Sequence, residues 1–112
     1  MKSQDKTEYD SVMSTYYGDE MVSAMITLKV DTKEADKIAE KVSEHQVVED
    51  VFLVTGDTDI IVKVKFQSYD QLKNFLISKI SPISGIKDIK TLMVVTTFKE
   101  RGEIKYEPLD EE

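Results

Sequence analysis

The chain has no cysteine, which removes disulfides, thiolate zinc sites and thiol nucleophiles together. No apolar run approaches the ~20 residues needed to cross a bilayer. The opening Met1-Lys2-Ser3-Gln4-Asp5-Lys6 is polar, unlike the hydrophobic segment of a secretion signal. A soluble, cytoplasmic protein without membrane contact is expected. Gly-rich phosphate loops, H-E-x-x-H and G-x-S-x-G motifs are missing, and there is one histidine, His45. A basic surface is missing too. The net charge is −7 and gathers at the ends. Asp5, Glu8, Asp10, Asp19 and Glu20 outweigh Lys2 and Lys6, while Glu107, Asp110, Glu111 and Glu112 close the chain around a neutral body. Acidic tails repel phosphate backbones, so direct nucleic-acid binding is not expected.

What remains is a pattern of strands and helices. With 112 residues there is room for one domain with a two-layer core. Residues 24–30 alternate, with Ile26, Leu28 and Val30 on one face, as in a strand. Asp31 then stands three residues before Glu34 in capping-box spacing. Ala35, Ile38, Ala39 and Val42 follow as the stripe of an amphipathic helix. That helix ends near His45, where a solvated, helix-capping imidazole is expected. A second strand covers 47–55. The order then repeats: strand 60–66, the capping box Ser68 to Gln71, the stripe Leu72, Phe75, Leu76 and Ile80, a stop at Pro82 and Gly85, and a strand over 86–98. Two β-α-β units joined by a hairpin predict an α+β, ferredoxin-like βαββαβ sandwich. Its four-stranded antiparallel sheet carries both helices on one face. Residues 23–99 form this domain, between an acidic extension at 1–22 and an acidic tail at 100–112. Tyr9, Val12, Met13, Tyr16 and Tyr17 give the extension a loose helical spacing. Glu103 to Tyr106 suggest a short edge strand, and a mobile end follows from Pro108.

The hairpin at the centre is the most informative stretch. Thr55-Gly56-Asp57-Thr58-Asp59 separates two β-branched runs. Gly56 allows a positive φ without steric cost, and four-residue loops of this kind close hairpins. Polar residues are also simply what turns contain. Yet two carboxylates and several free amides on a turn held by two stiff strands can grip a small zwitterion. Two carboxylates fall short of a calcium or magnesium cage, and no catalytic or metal residues are assigned.

With helices on one face, the other face of the sheet lacks a cover. Alternation assigns to it Met25, Thr27 and Lys29, then Ile61, Lys63 and Lys65, with Phe52, Val54, Met93, Val95 and Thr97 from the outer strands. About half of these are apolar, and clustered apolar surface usually marks an interface. A homodimer joined sheet against sheet is expected, through Met25, Thr27, Phe52, Val54, Ile61, Met93 and Val95.

The order strand, helix, Val47-Val48-Glu49-Asp50-Val51, Thr55-Gly56-Asp57-Thr58-Asp59, strand, helix, Ser84-Gly85-Ile86 and Thr91-Leu92-Met93-Val94-Val95 resembles the effector-binding (RAM) domain of the Lrp/AsnC feast/famine transcription regulators. The resemblance covers roughly residues 23–99. It implies an amino-acid effector held at Thr55, Gly56, Asp57, Thr58 and Asp59, with Thr96 and Thr97 supplied by a neighbouring protomer, and no cofactor. It also implies dimers that gather into octamers or mix with full-length relatives. Family members usually carry a helix-turn-helix ahead of this domain. Here only about 22 residues, acidic on balance, precede the first strand, too few for three helices, so the chain resembles the stand-alone form.

Other uses of this fold find little support. Met25, Thr27, Ile61 and Lys63 stand where an RNA binder would present stacking rings, and a Cys-x-x-Cys copper site is absent. Two readings stay open. One is a small-molecule sensor that passes an amino-acid signal through oligomerisation to transcription. The other is a ligand-independent subunit that joins full-length Lrp/AsnC regulators.

Overall fold

The computed structural model describes residues 21–107. Strand β1 (Val22–Val30) leads through a 3-10 turn (Thr32–Glu34) into helix α1 (Ala35–Ser43). Strands β2 (Val48–Leu53) and β3 (Ile60–Phe66) form the central hairpin. Helix α2 (Tyr69–Phe75) continues as a π-helical stretch (Leu76–Ile80) before β4 (Ile86–Met93). A small hairpin of β5 (Lys99–Glu100) and β6 (Glu103–Ile104) follows. The main sheet is antiparallel in the order β2-β3-β1-β4, the expected ferredoxin-like topology. The helical spacing at Tyr9–Tyr17 and the tail from Pro108 lie outside the described residues.

Alternation along the two central strands builds the core. Ala24, Ile26 and Leu28 of β1 and Ile60, Val62 and Val64 of β3 are fully buried. They meet Ile38 and Val42 from α1, Leu72 and Phe75 from α2, and Ile80 from the π-helical stretch, so both helices cover one face. Side-chain caps open the 3-10 turn ahead of α1 and helix α2 itself. Asp31 accepts from the Lys33 N–H at 3.2 Å, and Ser68 accepts from the Gln71 N–H at 3.3 Å. Neither closes a full capping box: the Asp31 N–H goes to the Gly85 carbonyl, and the Gln71 carboxamide accepts from the Gln67 N–H at 3.0 Å. His45 corrects the expectation of a solvated cap. The chain folds back after α1, with Val48 N–H donating to the His45 carbonyl at 3.1 Å. The imidazole lies edge-on against Phe75, ring centres 5.2 Å apart.

The outer strands are shorter than expected, and the missing lengths define the two ends of the sheet. One end gathers Leu28–Val30, the first residues of β3 and β4, and the β2–β3 turn. The Asp31 N–H donates there to the Gly85 carbonyl at 2.8 Å. The other end gathers Val22–Ala24 with the last residues of β3 and β4. Past Met93 the chain leaves the sheet. Glu103–Ile104 pair with Lys99–Glu100 in a separate two-stranded ribbon rather than extending the main sheet edge.

Candidate functional site

The β2–β3 turn divides into an anchored side and a free tip. Ladder pairing between β1 and β3 ends at Leu28 and Ile60. Beyond that point the turn's side chains take over. Asp59 Oδ2 accepts from the Val30 N–H at 2.9 Å, and the Thr58 hydroxyl donates to the Leu28 carbonyl at 2.9 Å. Asp59 N–H also donates to the Leu28 carbonyl at 2.9 Å, and the Asp59 carbonyl accepts from Val54 N–H at 2.8 Å. Thr55, Gly56 and Asp57 are exposed and make no such bonds among the described residues. Gly56 has φ +128°, with open space where a Cβ would stand. The turn therefore offers unpaired amides, one free carboxylate and a threonine hydroxyl on a rigid base. These are the donors and acceptor that a free amino acid's two charged groups require.

Thr96 and Thr97 stand elsewhere. They follow β4 at the opposite end of the sheet, where Val94 N–H donates to the Ser23 carbonyl at 3.0 Å. The run of β1 from Ser23 to Leu28 separates them from the turn, about 17 Å at ~3.3 Å per residue. Within one chain the two groups do not converge. The threonines instead line a cavity of about 500 Å³ with Ser23, Met25, Lys63 and Phe98.

On the sheet face away from the helices, which the β5–β6 hairpin partly covers through Glu100 and Lys63, Met25, Thr27 and Ile61 lie where alternation places them, and Phe52 pairs across from Ile61. Phe52 is 52% exposed. Met93 is a correction. The register steps between Lys29 and Val30, so that Asp88 faces Lys29 while Ile86 faces Val30, and Lys87 is bulged out. One extra residue reverses every later side chain. Met93 consequently sits opposite Ala24 and packs against the core, while Leu92 sits opposite Met25 and is 59% exposed. Val54 and Val95 lie just past their strands, Val54 half-buried and Val95 exposed.

Charged groups cross the same face. Lys63 donates to Glu100 of the small hairpin and lies 3.8 Å from Glu49, and Glu49 lies 3.7 Å from Lys65. The hydrogen bond from Lys63 holds the Glu100 carboxyl below the ordinary glutamate value. Burial opposes that shift, and the charges of Lys63, Lys65 and Arg101 reinforce it. Sequence reasoning missed this latch because its partners are 37 residues apart. Among the described residues, no group of three or more His, Asp or Glu is arranged to hold a metal, and no helix is long and apolar enough to cross a membrane.

Residues 23–104 match the family described as the Lrp/AsnC ligand binding domain. The chain is 31% identical over 81 residues to the HTH-type transcriptional regulator FL11 of Pyrococcus horikoshii, covering 72% of this chain and 53% of that protein. It thus spans about half the length of such relatives. Escherichia coli AsnC shares the fold with a TM-score of 0.69 at 27% identity, over 74% of this chain and 56% of that one. The Neisseria meningitidis transcriptional regulator NMB0573, solved as an L-Met complex, gives 0.67 at 21% identity, over 82% and 59%. At that identity the likeness is one of fold.

Proposed function

Because the chain belongs to the Lrp/AsnC family through its ligand-binding domain, we propose that it senses a free amino acid at the β2–β3 turn and reports occupancy by assembling with other copies. The observation that carries this reading is the division of the turn. Thr58 and Asp59 are tied to β1, while Thr55, Gly56 and Asp57 are left unpaired. The effector's carboxylate is received by the free amides and its ammonium by Asp57. A relative in fold solved with L-Met supports an amino acid of modest size.

Thr96 and Thr97 join the site only from a neighbouring protomer, since one chain keeps them at the far end of the sheet. Association is therefore part of sensing. Copies pair through the sheet face opposite the helices as homodimers, and dimers gather into larger rings such as octamers. The protein acts in the cytoplasm, as an effector domain rather than an enzyme. Neither described helix is part of a helix-turn-helix, since each packs singly on the sheet. DNA is read by another segment or by a full-length relative in the same assembly, so transcription is modulated indirectly.

Thermal shift against the standard L-amino acids, one at a time, tests the reading. An effector at 100 times its dissociation constant stabilises the fold by about 2.7 kcal/mol. If no amino acid moves the transition and a DNA-binding relative co-purifies, the chain is a ligand-independent interaction subunit instead.

A further inference from the structure

We propose that Asp59, together with Thr58, is a positioning residue of the turn and not an effector contact, which leaves Asp57 as the carboxylate that meets the ammonium. This rests on the reading that the turn holds an amino acid, and it divides labour between two aspartates that look alike in sequence.

The Leu28–Ile60 pair is the last of the β1–β3 ladder, so beyond it the Val30 N–H faces the turn and not a ladder partner on β3. A half-buried amide in that position needs an acceptor, and Asp59 Oδ2 supplies it at 2.9 Å. The rest of Asp59 is also committed. Its N–H is held by the Leu28 carbonyl, and its own carbonyl is held by Val54 N–H. Thr58 brings a second donor to the Leu28 carbonyl, which uses both lone pairs of that oxygen. An ammonium drawing the Asp59 carboxylate toward itself would therefore weaken the bond that fixes the turn. Asp57 bears no such duty: it is exposed, and its carboxylate has no partner among the described residues.

The anchor also sets direction. Val30 is the last residue of β1, and Asp31 caps the helical segment that follows. Asp59 thereby fixes the tip at Thr55–Asp57 relative to the start of α1, which is the preorganisation a small ligand needs.

Asparagine separates the two roles, because its Oδ1 still accepts from the Val30 N–H but carries no charge. The full-length chain is compared with Asp59→Asn, Asp59→Ala, Thr58→Val and Asp57→Asn. The probe is whichever standard L-amino acid gives the largest thermal shift, titrated by calorimetry. The expected result is that Asp59→Asn binds within about threefold of the parent, while Asp59→Ala and Asp57→Asn each lose about tenfold or more. Amide exchange at Val30 should stay slow in Asp59→Asn and become fast in Asp59→Ala. If Asp59→Asn loses as much affinity as Asp59→Ala, the charge of Asp59 touches the effector and the assignment is overturned. Unchanged Val30 exchange in Asp59→Ala overturns it as well. Should Asp59→Ala fail to fold, Asp59→Asn and Thr58→Val decide, the first retaining binding and the second weakening it. Should no amino acid bind the parent, the sensing reading falls, and exchange at Val30 alone still decides whether Asp59 holds the turn.

Discussion

Asp57 and Asp59 are two residues apart on one turn, yet their surroundings differ enough to reverse what their removal does. Asp59→Ala leaves the Val30 N–H without an acceptor in a half-buried place, and an unsatisfied group there costs about 1–3 kcal/mol. Asp57→Ala removes an exposed side chain with no partner among the described residues, so its effect on stability should stay within about 0.5 kcal/mol. Urea unfolding of the two variants measures both values, and equal losses would contradict this division. The sequence alone treats the two carboxylates as equivalent acceptors, because the partner of Asp59 lies 29 residues away. Turn chemistry and the freedom of Gly56 are local and can be read directly. Which side chain is spent on the scaffold is a long-range fact, and only the register of β1 against β3 reveals it.

Elements were legible where a period was long and unbroken, as in β1, β3 and the stripes of both helices. The failures trace to single residues that interrupt a period. The bulge at Lys87 turns Met93 inward and Leu92 outward, and its one local sign is the adjacent polar pair Lys87-Asp88 between Ile86 and Ile89, which breaks the alternation. Gly85, just before that strand, is held to glycine for two reasons. Its φ is +99°, and a Cβ would come 3.2 Å from Ile38 Cδ1 and 3.3 Å from Glu34 Cβ. Gly85→Ala should therefore cost at least about 1–2 kcal/mol from the backbone alone, read as a lowered urea midpoint. The β5–β6 hairpin is a further element that alternation could not place. It lies on the sheet through Glu100 and Lys63, and this contact has a definite pH dependence. Because the folded-state pKa of Glu100 is lowered, its contribution is complete above the ordinary glutamate value. It is lost only as pH falls through the lower, folded-state value. Acid titration followed by NMR at Lys63 and at the Phe98–Tyr106 ring contact should show the hairpin still docked at the ordinary glutamate pKa and releasing below it. Release at or above that value would mean that Lys63 does not hold the carboxylate.

At the scale of the whole molecule, the sheet face opposite the helices, open except where the β5–β6 hairpin lies on it through Glu100 and Lys63, decides whether a lone protomer is complete. Phe52 and Leu92 are 52% and 59% exposed and belong to opposite outer strands of the sheet, with Met25 and Ile61 between them. Residues of that size seldom lie open across one face of a stable monomer, and each fully buried one contributes roughly 1.5–3 kcal/mol. The charged cluster of Lys63, Glu49 and Glu100 crosses the same face. Pairing two copies would desolvate these charges, so their arrangement favours the orientation in which each charge keeps its partner and penalises others. Apolar residues would then supply attraction and the ion pairs would supply register. A double variant, Phe52→Asp with Leu92→Asp, separates association from folding because neither side chain belongs to the buried core. Light scattering at micromolar concentration should show the parent as a dimer or larger and the variant as a monomer, with far-UV circular dichroism unchanged. Met93→Asp serves as the contrast: its side chain packs on the core side, so it should lower the folded fraction itself. A parent that scatters as a monomer would remove sheet pairing. It would also leave Thr96 and Thr97 with no route to the turn on which the proposed site depends.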